Sequence, residues 1–169
     1  MINGESLLIL RHSGKQHEVS LHRINIIACP SRDVVTSARQ AITIEWWETY
    51  RDLFDVFISE LVFEEIGTGD LQAASNRLAI VENIPVLVAT ENAIALAKAL
   101  IVENAIPASS AEDALHISIA AVQGIDFLLT WNFKHINNAN MRDKITQVVN
   151  RLNFRSPILC SPEELINER

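Results

Sequence analysis

The amino-acid sequence predicts an α/β fold, a three-layer sandwich with a central, mostly parallel sheet flanked by helices. Short apolar runs alternate along the chain with longer segments in which apolar residues recur at helical spacing. The apolar runs are continuous rather than alternating with polar residues, which is typical of strands buried on both faces. Strands that alternate with helices favour a parallel sheet covered on both sides.

The elements of the first half follow from local signals. Either segment 7–10 or segment 24–28 is expected to supply the central strand. The later elements are a helix through TSARQAITIEWWETYRDL capped by Ser31 or Asp33, a strand over 55–58, a helix ELVFEEI that starts at Ser59 and ends at Gly67, and a helix capped by Asp70.

The second half repeats the same alternation. The predicted elements are a strand over 86–88, a helix capped by Thr90, a helix from Ala111 to about Gln123 capped by Ser110 and ended by Gly124, a strand over 127–130, a helix from about Asn138 to Leu152, a strand over 157–160, and a helix start at Ser161-Pro162-Glu163-Glu164.

The segment from Ser109 to Ile136 carries most of the functional information. Ligands of open α/β sheets gather at the carboxyl ends of strands. Asn132 follows the apolar run Phe127–Leu129, so it is expected at that edge. Asp113 lies in the first turn of the preceding helix, which places it within reach of Asn132.

The sequence of this segment, EDALHISIAAVQGIDFLLTWNFKHI, resembles the C-terminal half of a PIN domain, the metal-dependent ribonuclease fold of VapC-type toxins. The resemblance extends more loosely from about Pro30 to Glu164. It implies a single domain overall, with a PIN-like region over residues 30–169 and an atypical N-terminal segment over residues 1–29.

The resemblance also implies a site. Asp113, the acid before Ala-Leu-His, and Glu65, in the pattern Leu-Val-x-x-Glu, correspond to catalytic, metal-binding acids. Asn132 stands where many members carry Asp, and it completes a metal set of Glu65, Asp113 and Asn132. The implied cofactor is Mg²⁺ or Mn²⁺, which activates a water and stabilises charge on the scissile phosphate.

The residues themselves leave alternatives open. Glu65 follows Leu61 by four positions and Val62 by three, so it projects from the apolar side of its helix unless it sits at a frayed end in water. Asp113 fits a capping box with Ser110 as well as it fits a metal site. His116 is a possible metal ligand by type, but packing on the helix face is the favoured interpretation.

Charge along the chain is uneven. The net charge of −7 argues against a protein that coats nucleic acid with a basic surface. Nevertheless, residues 133–169 carry 6 lysines and arginines against 4 acids. Lys134 and Arg142 are the candidate RNA-binding residues of a basic strip that also includes Lys144, Arg151 and Arg155; an ordinary solvated helix face is the alternative.

The N-terminus departs from the PIN pattern, in which an acid follows the first strand. Arg11-His12 follows the apolar run here, and Glu18 is the only acid in the right neighbourhood. We therefore expect that residues 1–29 are not the ancestral start, through a frameshift or an altered start site. Translation of the upstream nucleotides tests this expectation.

Two functions remain open at this point. The first is an Mg²⁺- or Mn²⁺-dependent endoribonuclease of the VapC toxin type, cytoplasmic, homodimeric and neutralised by a small antitoxin. The second is a catalytically degenerate PIN-fold domain that binds a protein. No apolar run approaches the roughly 18 residues of a membrane span, so no membrane association is expected. Cys29 and Cys160 are expected to be free thiols.

Overall fold

The computed structural model describes residues 8–13, 33–67, 71–132 and 138–166. Its strands are β1 (Leu8–His12), β2 (Phe54–Ser59), β3 (Val86–Leu87), β4 (Phe127–Leu129) and β5 (Ile158–Cys160). Its α-helices are α1 (Val34–Thr49), α2 (Glu60–Ile66), α3 (Leu71–Val81), α4 (Glu91–Val102), α5 (Ala111–Val122) and α6 (Ala139–Arg151), and 3₁₀ turns cover Arg51–Leu53, Ala108–Ser110 and Pro162–Leu165. The predicted caps Ser31 and Asp70 and the candidate strand over 24–28 lie outside the described residues.

Local capping explains where several helices begin. Asp33 accepts a hydrogen bond from the Thr36 amide at 2.8 Å, and Ser59 accepts one from the Val62 amide at 3.3 Å. The Thr90 hydroxyl does the same for α4. Each bond satisfies a backbone donor that the first helical turn leaves without an intrahelical partner. The predicted starts of these three helices are confirmed.

The five strands form one mixed sheet in the order β3-β2-β1-β4-β5. β2 pairs parallel with β3, and β4 pairs parallel with β5. The central strand β1 runs antiparallel to both of its neighbours, with Ile9 opposite Phe57 on one side and Leu128 on the other. The predicted α/β class is confirmed, and so is a central strand from the first apolar run. The strand is antiparallel to its neighbours and not parallel, so the centre of the sheet is mixed. The sequence does not specify the strand direction, because an apolar run such as LLIL has the same hydrophobic pattern in either direction.

Both faces of the sheet centre are covered. Ile9 and Leu10 are consecutive and point to opposite faces, yet both are buried, and the same holds for Leu128 and Leu129. Helix α5 is buried almost all round from Ala114 to Ala121 and packs against α4 and β4. A helix that is apolar on every side belongs inside a fold. This arrangement is compatible with a three-layer sandwich.

Candidate functional site

One edge of the sheet collects buried polar side chains. β2, β4 and β5 run in the same direction, so their carboxyl ends meet at one edge, which we call the carboxyl edge. Ser59, Thr130, Asn132 and Ser161 stand at or just after these strand ends, and each is at most 3% exposed. Burying polar groups costs free energy unless they find partners. The hydrogen-bond partners of these side chains therefore show which of them are available to bind a ligand.

Asp113 and Asn132 meet at the carboxyl edge, as the sequence predicted. The Asn132 amide nitrogen Nδ2 donates to the two Asp113 carboxylate oxygens at 3.3 and 3.4 Å. The backbone N–H of Asn132 donates to the Thr130 hydroxyl at 3.0 Å, which holds the residue after the strand in place. Both side chains line a cavity of about 410 Å³, whose other described walls are residues 108–112.

The predicted capping hydrogen bond from the Ser110 side chain is not formed. Ser110 occupies the N-cap position of α5, but its side chain makes no capping hydrogen bond. The 3₁₀ turn Ala108–Ser110 leads directly into the helix and gives Ser110 a backbone conformation (φ −120°, ψ 42°) outside the extended region usual for a cap. The Asp113 carboxylate is in direct contact with the Asn132 amide.

Glu112 is a residue whose position the sequence did not reveal. It precedes Asp113 in the first turn of α5, is exposed, and lines the same cavity. The sequence suggested only a capping role for it. Its acidic side chain adds negative potential beside Asp113, which favours a cation in the cavity.

Ser59 and His116 form a second buried pair at this edge. The Ser59 hydroxyl oxygen and His116 Nδ1 are 2.9 Å apart. The same hydroxyl oxygen accepts from the Val62 amide at 3.3 Å, so Ser59 links the first turn of α2 to the imidazole ring of α5. Burial lowers the pKa of His116 to about 4. The favoured packing role of His116 agrees with this geometry, whereas the pairing itself had no sequence signal.

Glu65 is not turned toward the core. Helix α2 buries Val62 and Ile66, and Glu65 is exposed. The predicted projection from the apolar side is therefore wrong, because a seven-residue helix has fewer than two turns and its docking selects one narrow stripe. Among the described residues, Glu65 does not line the cavity that Asp113 and Asn132 share.

Of the two predicted RNA-binding residues, the structure describes only Arg142. Lys134 lies outside the described residues. Arg142 lies in α6, with its guanidinium 3.6 Å from the Glu164 carboxylate. It lines a separate cavity of about 340 Å³ beside β5, and not the cavity of Asp113.

The residues at the Asp113 cavity fit a weakly held hard cation. Carboxylate and amide oxygens are ligands that Mg²⁺ accepts, and Mg²⁺ retains several waters when protein ligands are few. Metal binding would require the Asn132 amide to rotate so that Oδ1 and not Nδ2 faces the carboxylate, and a bound cation would stabilise that approach of two oxygens. Within the described ranges, no three His, Cys, Asp or Glu side chains converge into a denser cluster.

No protein-family model, curated protein or solved structure matches the chain. None of the helices that the structure describes combines the length and apolar character needed to cross a membrane.

Proposed function

We propose that the chain is an Mg²⁺- or Mn²⁺-dependent ribonuclease of the PIN type, resembling VapC-type toxins, with a weakened metal site. The observation that carries the proposal is the meeting of Asp113 with the buried Asn132 in one cavity at the carboxyl edge. The resemblance associates these two positions with metal binding from the sequence, and their proximity supports it. A homodimer, a small antitoxin and a cytoplasmic location belong to the same proposal.

Asp113 and Asn132 are the residues that would hold the ion. When bound, Mg²⁺ or Mn²⁺ supplies a water of lowered pKa and stabilises negative charge on the phosphate. The chain orients these ligands: Thr130 positions the Asn132 backbone, and α5 presents Asp113 from its first turn. Glu65 stays a predicted catalytic acid. It is exposed and does not line the Asp113 cavity as described, so this role requires it to turn toward the cavity when the metal binds.

Cleavage of single-stranded RNA with and without Mn²⁺ tests this proposal. We expect wild type to cleave only with the metal and Asp113→Asn to lose both cleavage and Mn²⁺ binding. Asp143→Asn is the matched control, because Asp143 is an exposed acid on α6 outside the cavity. A dissociation constant on the order of 10⁻³ M is expected for Mn²⁺, by analogy with the weakest protein sites for hard cations. Equal cleavage by Asp113→Asn contradicts the proposal.

The second candidate is a catalytically degenerate PIN-fold domain that binds a protein. Two observations favour it: the central strand ends in Arg11-His12, at the edge opposite Asp113, and Glu65 is exposed. The same titration separates the candidates. Identical weak Mn²⁺ binding by wild type and Asp113→Asn, without RNA cleavage by either, supports the degenerate domain.

A further inference from the structure

A groove with an apolar floor and polar side chains along α6 runs beside the edge strand β5, and we call it the β5 groove. Its volume is about 340 Å³, and its described lining is Arg142, Thr146, Asn150, Arg155, Ser156 and the segment 157–159. The α6 members of this set are four residues apart and share one helix face. At a rise of 1.5 Å per residue, that face extends for about 12 Å.

An arginine stands toward each end of β5. Arg142 is 3.6 Å from Glu164, which follows the carboxyl end of the strand. Arg155 donates to Asp126 at 2.9 Å, at the opposite end of the neighbouring strand β4. The Arg142 Nε atom is buried without a hydrogen-bond partner in the described structure, whereas 36% of the side chain stays exposed.

Uncharged donors lie between the two arginines. Thr146 and Ser156 hydroxyls are 3.5 Å apart, and the Ser156 amide meets the Asn150 side chain at 3.4 Å. These contacts are at the long limit for hydrogen bonds, so they are weak and a better acceptor can replace them. Phosphate oxygens are such acceptors, because a charged acceptor forms shorter and stronger hydrogen bonds.

The edge of β5 is a poor template for an added peptide strand. In the parallel pairing with β4, Ile158 and Cys160 direct their backbone groups to β4, so Leu159 faces outward. Pro157 has no N–H, and the Ser161 N–H donates to Glu164 at 2.8 Å. A single outward residue cannot support a ladder, which disfavours an extended peptide as the ligand.

We propose that the β5 groove binds the backbone phosphates of single-stranded RNA through Arg142 and Arg155. The described lining contains no aromatic residue, so the groove contacts the backbone without stacking on bases and carries no sequence preference. The biological role of the groove rests on the proposed ribonuclease function. In that function the groove would hold the RNA strand at a distance from the Asp113 cavity. Binding itself needs no metal.

Fluorescence anisotropy of a labelled oligouridylate in EDTA measures this binding, with Asp113→Asn as the background to exclude cleavage. The double variant Arg142→Gln/Arg155→Gln is expected to weaken binding about tenfold. It is also expected to reduce the slope of log K against log salt concentration by about 1.4, at about 0.7 per phosphate contact.

Lys144→Gln/Arg151→Gln is the matched control, because it removes the same charge from exposed positions on α6 outside the groove. Equal loss of binding in this control overturns the proposal, since net charge then explains the effect. Absence of RNA binding by the background protein also overturns it. Polyglutamate of equal charge that competes as well as oligouridylate identifies an acidic peptide ligand and overturns it too.

Two further measurements keep the conclusions separate. Arg155→Lys retains the charge, so it is expected to preserve most binding even if loss of the Asp126 contact lowers the thermal unfolding midpoint. RNA cleavage by chains without the Asp113 substitution reports on the proposed function alone. If RNA binding depends on the groove arginines but no RNA is cleaved, the ribonuclease proposal is refuted and the groove proposal stands. If RNA is cleaved but the groove variants bind RNA as well as the background protein does, the groove proposal is refuted and the ribonuclease proposal stands.

Discussion

The two edges of the sheet use polar residues in different ways. At the carboxyl edge, Ser59, Thr130 and Asn132 are buried, and Asn132 opens with Asp113 onto a cavity of about 410 Å³. At the opposite edge, His12 and Arg155 are exposed. The first edge buries polar groups around the Asp113 cavity. The second exposes polar groups that pair with neighbouring parts of the chain, and Arg155 among them also lines the end of the β5 groove.

Asp126 organises the opposite edge. Its carboxylate accepts from the His12 amide at 3.0 Å and from the Arg155 guanidinium at 2.9 Å. The His12 ring packs 5.5 Å from the ring of Phe54 and 5.0 Å from that of Phe127, centroid to centroid. These contacts tie strand ends together. The direction of β1 decides this division, because it places Arg11-His12 far from Asp113.

Acidification is expected to have the largest effect, and it acts at the carboxyl edge. Unfolded His116 binds a proton below its ordinary pKa of 6.5, but the folded residue does so only near pH 4. This contribution to stability is therefore complete above pH 6.5 and is lost as the pH falls toward 4, by about 3 kcal/mol. Urea unfolding at several pH values measures it. His116→Asn keeps a side chain that can hydrogen-bond to Ser59 but does not titrate, so an equally steep pH dependence in that variant contradicts the assignment.

Asn132→Asp sharpens the comparison by adding charge to the cavity. A buried carboxylate at position 132, beside the half-buried one of Asp113, is expected to lower the free energy of unfolding by about 2 kcal/mol in EDTA, through desolvation and repulsion. Mn²⁺ is expected to reverse the loss and to bind at least tenfold more tightly than to wild type. Calorimetry with and without Mn²⁺ checks both. Destabilisation that Mn²⁺ leaves unchanged argues against a cation at this position.

Asp126→Ala tests the opposite edge. Removing the carboxylate takes away the acceptor for the His12 amide and for Arg155, with an expected cost of about 1–2 kcal/mol. Mn²⁺ binding should not change, because this edge plays no part in the proposed site. Chemical denaturation and an Mn²⁺ titration give the two results. A simultaneous loss of Mn²⁺ affinity would erase the distinction between the edges.

The smallest effect is expected for Glu65→Gln. An exposed substitution on a short helix should change the free energy of unfolding by less than about 0.5 kcal/mol. With α2 oriented as observed, Mn²⁺ affinity should change less than twofold. A loss as large as that of Asp113→Asn shows instead that Glu65 turns into the site when metal binds, as the PIN resemblance implies.

The secondary-structure elements and part of the site were predictable because they depend on interactions between residues close in sequence. The starts at Ser59 and Thr90 depend on bonds that span three residues, and Gly124 ends α5 with a positive φ of 65°. The approach of Asp113 to Asn132 followed from one helix and the next strand, 19 residues apart. The pairing of Ser59 with His116 spans 57 residues, and no local pattern encodes such a contact.

By itself, the sequence determined the α/β alternation, the helix starts and the placement of Asp113 near a strand end, because these depend on hydrogen bonds and periodicities within a few residues. Only the tertiary structure decided the direction of β1, the exposure of Glu65 and the absence of a Ser110 side-chain cap on α5. Each of these depends on which distant segment packs alongside. An apolar run can pair in either direction, and a two-turn helix can dock on more than one face.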